Sequence, residues 1–378
     1  MTRRFKIIEG ADNLDGIRDS WETLSAQNKL ARYFHAYSWY RAFARNLESQ
    51  PDSFICVLVY QDDELEAIFP LQFRKNRFLG VALRVFQAPQ HAHINLHDIV
   101  LVEHQNHADL LYELVQFLKR QKPYKCDAIK LGNVLDNSTT MKLLREDSRL
   151  NTTIFPSGHC DSLPVLGSGD LPKFVSRNLK GNLRKARSKL SQHESVEYLA
   201  TRNPKLLPNY LAWFLDVEAS GWKGESGSGS AIKLNGTLTS FYSDLAQGFG
   251  SDHKCEISLL KIDGQVAAGQ FGLIAGRTMY LLKIGYAENF SNCAPGNSLL
   301  AHTLDRLNTE GEITDVNLVT DAAWHKSWRP EQQQVYKCCV YSDRLTAKLQ
   351  VANECVRQMA KRLYNDLKDR GQRAMQSR

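Results

Sequence analysis

The chain has 378 residues, 43% hydrophobic and 24% charged, and its 48 Lys and Arg against 41 Asp and Glu give a formal charge of +7. This excludes a disordered chain, a collagen and a coiled-coil rod, and leaves length for two ordinary domains with real cores. The modest positive excess suits an anionic small ligand or a phosphate-bearing acceptor without demanding nucleic acid.

The N-terminus is basic, but Glu9 and Asp12 arrive before any apolar run, so no secretory signal is expected. No window reaches the ~18 apolar residues of a spanning helix. Eight scattered cysteines without a C-x-x-C pair read as reduced thiols of a cytoplasmic protein.

Leu14, Ile17, Trp21 and Leu24, then Trp39, Tyr40, Phe43 and Leu47, predict two helices. A strand over 54–60, a turn at 61–64 and a strand over 65–71 follow, then a helix over 109–119 and a strand over 127–131. The second half repeats this order. Strands over 257–262 and 265–274 flank Asp263-Gly264, and a strand over 278–285, a helix over 296–307 and a strand from Asp315 to Val319 follow. Placing Asp62 on Asp263 aligns the two hairpins without a gap.

This weak repeat predicts two related α/β domains in tandem, 1–160 and 161–341, with the boundary in the Pro- and Gly-rich segment 161–170. A Gly/Ser loop over 224–230 lies inside the second. Residues 342–378 read as a basic amphipathic helix. It carries nine basic and four acidic side chains, and an apolar stripe through Leu345, Leu349, Ala352, Val356, Met359, Leu363 and Leu367. The stripe is expected to dock on the second domain up to about Leu367, with peripheral membrane contact as the alternative.

Chemistry enters at Ala294-Pro295-Gly296-Asn297-Ser298, between a strand and a helix. Proline fits the first helical turn, glycine leaves room for close approach, and the unpaired N–H groups with the helix dipole attract an anion such as a diphosphate. Other motifs are Ser176-Arg177-Asn178 with Arg184-Lys185-Ala186, Glu218-x-x-Gly221-Trp222-Lys223-Gly224, Gly264-Gln265-Val266-Ala267-Ala268, Tyr280-x-x-Lys283-x-Gly285-Tyr286, and Asp315 with Asp321-x-x-x-x-Lys326-x-Trp328.

In order and spacing these motifs resemble the GNAT acyltransferases, in particular the CelD-like branch of cellulose and exopolysaccharide biosynthesis, related to the Fem-type aminoacyl transferases. The resemblance covers 170–345 well and 15–150 in outline. It implies two tandem GNAT-like domains with mixed central sheets plus a C-terminal helix. The second domain would bind acyl-CoA. The first, which lacks a Pro-Gly turn at the matching place, would shape the acceptor cleft.

The implied reaction is acetyl transfer from acetyl-CoA to an amino group of a sugar or polysaccharide precursor by direct attack, with no metal. Fem-like aminoacyl transfer and a non-enzymatic scaffold of polysaccharide assembly are the alternatives. Leu282, Lys283, Ile284, Pro295, Gly296, Asn297 and Ser298 are the candidate CoA contacts. Thioester aminolysis needs a base for the incoming ammonium and donors for the oxyanion. Asp321, Glu218 and Lys326 are the catalytic candidates, with Asp315 a further carboxylate, and backbone N–H groups near Leu282–Ile284 are the donors.

Between Lys173 and Lys189 seven cations occur without an acid. Arg177 and Arg184 are candidate acceptor contacts there, and Trp222 and Trp328 could stack on a sugar ring. Nucleic acid is disfavoured, because base-stacking aromatics are missing from this run. His91, His93, His97-Asp98 and His104 could supply imidazoles to a metal, but a polar loop is the cheaper reading.

Overall fold

The computed structural model describes residues 3–165 and 175–360, apart from 29, 31, 51–52, 103–106, 108, 222, 226, 350, 353–355 and 357–358. In chain order the elements are β1 (Arg3–Glu9), α1 (Arg18–Ala26), α2 (Tyr37–Asn46), β2 (Phe54–Gln61), β3 (Glu64–Phe78), β4 (Val81–Gln87), β5 (Val100–Leu101), α3 (Leu110–Arg120), β6 (Ala128–Leu135), α4 (Thr139–Glu146) and β7 (Asn151–Pro164). The second half supplies α5 (Arg177–Leu190), β8 (Val196–Thr201), α6 (Leu207–Ser220), α7 (Gly236–Gly250), β9 (Cys255–Ile262), β10 (Gln265–Ala275), β11 (Thr278–Tyr286), α8 (Pro295–Glu310), β12 (Asp315–Asn317) and β13 (Glu331–Tyr341).

All strands join one mixed sheet of order β1-β2-β3-β4-β6-β13-β7-β12-β11-β10-β9-β8, with β5 added beside β3. The order is mirrored about the β13–β7 pair. β2 and β3 correspond to β9 and β10, β4 to β11, and β6 to β12. Both hairpin turns are built on two positive-φ residues, Asp62-Asp63 and Asp263-Gly264, the geometry that matches strand twist in a two-residue turn.

The central strands are exchanged. β13 pairs with β6 of the first half, and β7 pairs with β12 of the second. Register along β7–β13 runs from Tyr341↔Asn151 to Glu331↔Ser162. A single apolar core then spans both halves on the face covered by α1, α2, α6 and α7, with Trp21, Trp39, Phe214 and Phe241 inside it. Helices α2 and α7 meet across the halves at Gly248, where a Cβ would stand 2.8 Å from the Ser38 side chain. On the other face α3 and α4 cover one cluster and α5 and α8 cover two more.

The tail departs from expectation. Ala347 is buried and Val351 packs toward Ala128, Cys339 and Tyr341, while Leu345, Ala352, Val356 and Met359 of the expected docking stripe are exposed. The rotation is set at its root, where Arg344 Nε donates to Asp127 Oδ1 at 2.9 Å and Thr346 also bonds that carboxylate. Leu363, Leu367, residues 166–170 and Lys173 lie outside the described residues. Among the described residues no helix is long and apolar enough to cross a membrane.

Candidate active site

The site begins where two parallel strands part. β11 pairs with β12 only over Thr278–Tyr280 against Asp315–Asn317. Just beyond, the β10 register jumps from Phe271↔Lys283 to Gly272↔Leu281, leaving Leu282 as the extra residue of a β-bulge. A bulge takes one residue out of the ladder and bends the strand. Beyond Tyr280, β11 has no β12 partner, so 281–284 border the gap between the two strands. The Leu282 side chain itself is buried in the common core, so its contribution to the gap is backbone.

Two glycines explain how α6 reaches this strand. A Cβ at Gly285 would stand 2.7 Å from Glu218 Cα, and one at Gly221 would stand 2.9 Å from the Tyr286 carbonyl oxygen. Side chains at either position would push α6 off β11. The contact carries Glu218, buried, to the strand. Its Oε1 accepts from Lys223 Nζ at 3.0 Å, and its Oε2 accepts from the Ile232 N–H at 2.9 Å. Lys223 also donates to the Ile284 carbonyl at 3.3 Å. Glu218 thus closes the 221–232 loop and fixes a lysine at the bulge.

Lys283 lies beside this pair. Burial, and then the charge of Lys223, push its ammonium down to about 8, against an opposing pull from Glu218. A loop of the first half faces the same lysine. His93 Nδ1 is 2.9 Å from the Tyr242 hydroxyl, and its ring lies 5.5 Å from that of His91. Burial, then Lys283, lower both imidazoles, His93 to about 3. The His91–His93 loop therefore presents neutral imidazoles toward the Lys283 ammonium. Among the described residues no group of three or more His, Cys, Asp or Glu could hold a metal ion.

The 3-10 turn Glu288–Cys293 leads into α8 through Ala294, a helix cap held at φ 44°. Pro295 opens the helix and Ser298 Oγ bonds back to the Cys293 carbonyl at 3.1 Å. A Cβ at Gly296 would lie 3.7 Å from the Tyr286 ring, an ordinary contact. The buried Trp328 donates its indole N–H to Asn297 Oδ1 at 3.2 Å, fastening this first turn to the 3-10 turn Ala323–Trp328. Its ring is spoken for by packing with Leu300 and Leu304.

Asp321 is exposed in the loop after β12, and its Oδ2 accepts the His159 N–H at 3.2 Å. Gly158, at φ 140°, leaves the space for it: a Cβ there would stand 3.2 Å from that oxygen. Lys326 is exposed. Asp315 accepts from Thr314 Oγ1 at 2.9 Å beside a separate depression between the halves. Arg177 starts α5, whereas Arg184 lines a groove of about 890 Å³ with Lys180, Arg187, Tyr198 and His302. Trp222 lies outside the described residues.

Of the residues the sequence offered, the structure brings Glu218, Lys283 and Ile284 to one place and Asn297 with Trp328 to another. His91 and His93 were expected only as possible metal imidazoles, and Lys223 and Tyr242 were not expected as site residues. Lys223 stood in a quoted motif, five positions after Glu218. The loop and Tyr242 are joined only by the tertiary fold.

Residues 177–327 match the family model described as an acetyltransferase (GNAT) domain. No curated protein matches the chain. Among solved structures the chain is similar to FemX at 12% identity and a TM-score of 0.57, over 89% of this chain and 97% of that one. It is also similar to a conserved protein of unknown function from Bacteroides thetaiotaomicron (12% identity, TM-score 0.54, 90% and 100% covered). L-PGS from Bacillus licheniformis is a third (13% identity, TM-score 0.51, 88% and 96% covered). At such identities the likeness is one of fold. The chain has the mixed α/β fold of the GNAT acyltransferases, and its matched domain is that of an N-acyltransferase enzyme.

Proposed function

We propose that the chain transfers an acetyl group from acetyl-CoA to an amino group of a sugar or polysaccharide precursor. The observation that carries this is the bulge at Leu282, set where β11 leaves β12 and followed by the open first turn of α8. In this reading residues 161–341 hold the cosubstrate. The diphosphate rests on the N–H groups of Gly296 and Asn297, and the pantetheine arm lies in the gap between β11 and β12. Pro295 and Ser298 shape that turn, and the Trp328–Asn297 bond holds it still. Residues 1–160 close the acceptor side with the His91–His93 loop.

The thioester carbonyl oxygen points to the backbone donors of 282–284, with the Lys283 ammonium alongside. These stabilise the negative charge that develops as the amine attacks. The N–C bond forms, the C–S bond breaks, and CoA leaves as the thiol. The ammonium proton passes to Asp321, which has one oxygen engaged and one open. Glu218 has both oxygens engaged, so it acts as a positioning residue for Lys223 and the 221–232 loop. Lys326, Arg177 and the exposed Trp324 line the route for a polar acceptor, and Arg184 contributes positive charge from the neighbouring groove. Mass-shift screening of amino sugars and sugar nucleotides with acetyl-CoA tests this, with thiol release as the second readout. A 42 Da gain on an amino sugar, about the mass of an acetyl group replacing hydrogen, supports it. Thiol release with no acceptor modified, across the whole panel, counts against the saccharide acceptor.

A second reading, Fem-like aminoacyl transfer, draws on the near full-length fold likeness to FemX. It requires an aminoacyl-tRNA donor in the same gap. Transfer from a charged tRNA, with no thiol release from acetyl-CoA, would favour it.

A further inference from the structure

The four most exposed large hydrophobic side chains among the described residues are Leu79 at 81%, Leu345 at 78%, Met359 at 64% and Val356 at 58%. They sit on two elements that leave the sheet at the same end. Leu79 is at the tip of the β3–β4 hairpin, where Phe78 pairs with Val81. The other three belong to the tail that follows β13. Val85 of β4 pairs with Ala128, and Ala128 pairs with Tyr341, the last residue of β13. β4 begins at the hairpin tip, so tip and tail emerge side by side. One carboxylate ties both roots: Asp127 accepts from the Arg84 N–H at 2.8 Å and from Arg344 Nε at 2.9 Å.

Local preference does not explain Leu79. It and Gly80 form a two-residue turn with φ of 49° and 79°. That geometry favours Asn-Gly or Gly-Gly, and a bulky side chain there is strained. A leucine kept at a strained, solvent-exposed tip gains from contact outside the chain. Its surroundings are basic. From Gln72 to Arg84 there are four cations and no acid, with Lys75 and Arg77 exposed. Arg120, Lys122 and Lys125 are exposed in the turn before β6, and Lys348 is exposed on the tail.

We propose that this end of the sheet docks on an anionic lipid bilayer, with Leu79 and the Leu345, Val356 and Met359 side of the tail entering the headgroup region while the surrounding lysines and arginines meet the lipid phosphates. Aliphatic side chains ringed by cations fit an anionic interface. Nucleic acid would call for exposed stacking aromatics, and the four side chains that define this patch include none.

The test is co-sedimentation of the full chain with phosphatidylcholine vesicles and with vesicles containing one third phosphatidylglycerol. Binding should be at least about tenfold stronger on the anionic vesicles and fall with added salt. Leu79→Asn, which suits the positive φ and so retains the fold and its melting temperature, should weaken binding about tenfold. Lys75→Glu with Arg77→Glu should do the same. Leu206→Ser, an exposed leucine at the start of α6, should change nothing. Absence of binding to anionic vesicles overturns the proposal, as does unchanged binding by Leu79→Asn or by the double charge reversal. Loss in these variants of single-stranded RNA binding, with vesicle binding intact, overturns it in favour of a nucleic acid.

Discussion

The backbone of Gly285 lies against Glu218 so closely that a Cβ at 285 would stand 2.7 Å from Glu218 Cα. Strand and helix are therefore in close contact here, as they are again where Gly221 meets the Tyr286 carbonyl. Gly285→Ala should force α6 away from β11. We expect a loss of about 1–3 kcal/mol in unfolding free energy, the usual cost of overpacking. Acyl-CoA affinity should fall with it. Denaturant unfolding and calorimetry on the same preparation check both, and a fully stable variant with normal affinity would contradict the close packing.

Lys283 titrates from an ammonium that burial and Lys223 hold down at about 8. Its charged form is disfavoured in the folded state, so its stability cost is present below pH 8 and disappears as pH rises from about 8 toward the unfolded value near 10.5. Lys283→Met should raise the melting temperature at pH 7 and lower the acyl-transfer rate. In the unmodified enzyme the rate should decline above about pH 8, as the charge beside the thioester oxygen is lost. Glu218→Gln removes the opposing pull and should move that decline to lower pH. A pH–rate profile unchanged in Glu218→Gln would place Lys283 outside the reaction.

His93 and His97 are held neutral by burial, at about 3 and about 4. An unfolded histidine takes up its proton near pH 6.5. The unfolded state therefore binds more protons below pH 6.5, and stability should fall as pH drops toward 4, at up to about 1.4 kcal/mol per pH unit for each residue. His93→Asn should flatten this acid limb while losing the hydrogen bond to Tyr242. Melting temperatures between pH 4 and pH 7.5 measure the difference, and parallel curves for the two proteins would contradict it.

The proposed base is tested at Asp321. Asp321→Asn keeps an acceptor for the His159 N–H but cannot take a proton at neutral pH. Turnover should fall roughly 10²–10⁴-fold, the usual contribution of a general base, with acyl-CoA affinity unchanged. Full turnover in this variant assigns the proton elsewhere.

Much of the second half was legible because its signals are local. The Asp263-Gly264 turn, the strands on either side of it and the Pro295 helix start fell where expected. Strands β7 and β13 were not legible. Gln332-Gln333-Gln334 is polar, and Asn151–Pro164 alternates weakly; both become strands because each pairs with the other at the centre of the sheet. The tail stripe was read from helical spacing alone, which fixes a face but not what that face meets. Asp127 decided it, through Arg344 and Thr346. The bulge at Leu282 likewise has no sequence mark, since it is a property of register between two strands.

Calorimetric titration of acetyl-CoA into the native chain and into Gly296→Glu tests the central claim most directly. The contact at 3.7 Å leaves room for a side chain, so the variant should fold with an unchanged melting temperature. A carboxylate at that turn opposes a diphosphate by on the order of 1–4 kcal/mol. The native chain should bind, and the variant should bind at least several-fold more weakly. Equal affinity in the two proteins, or no binding by the native chain at high ligand excess, would contradict the account.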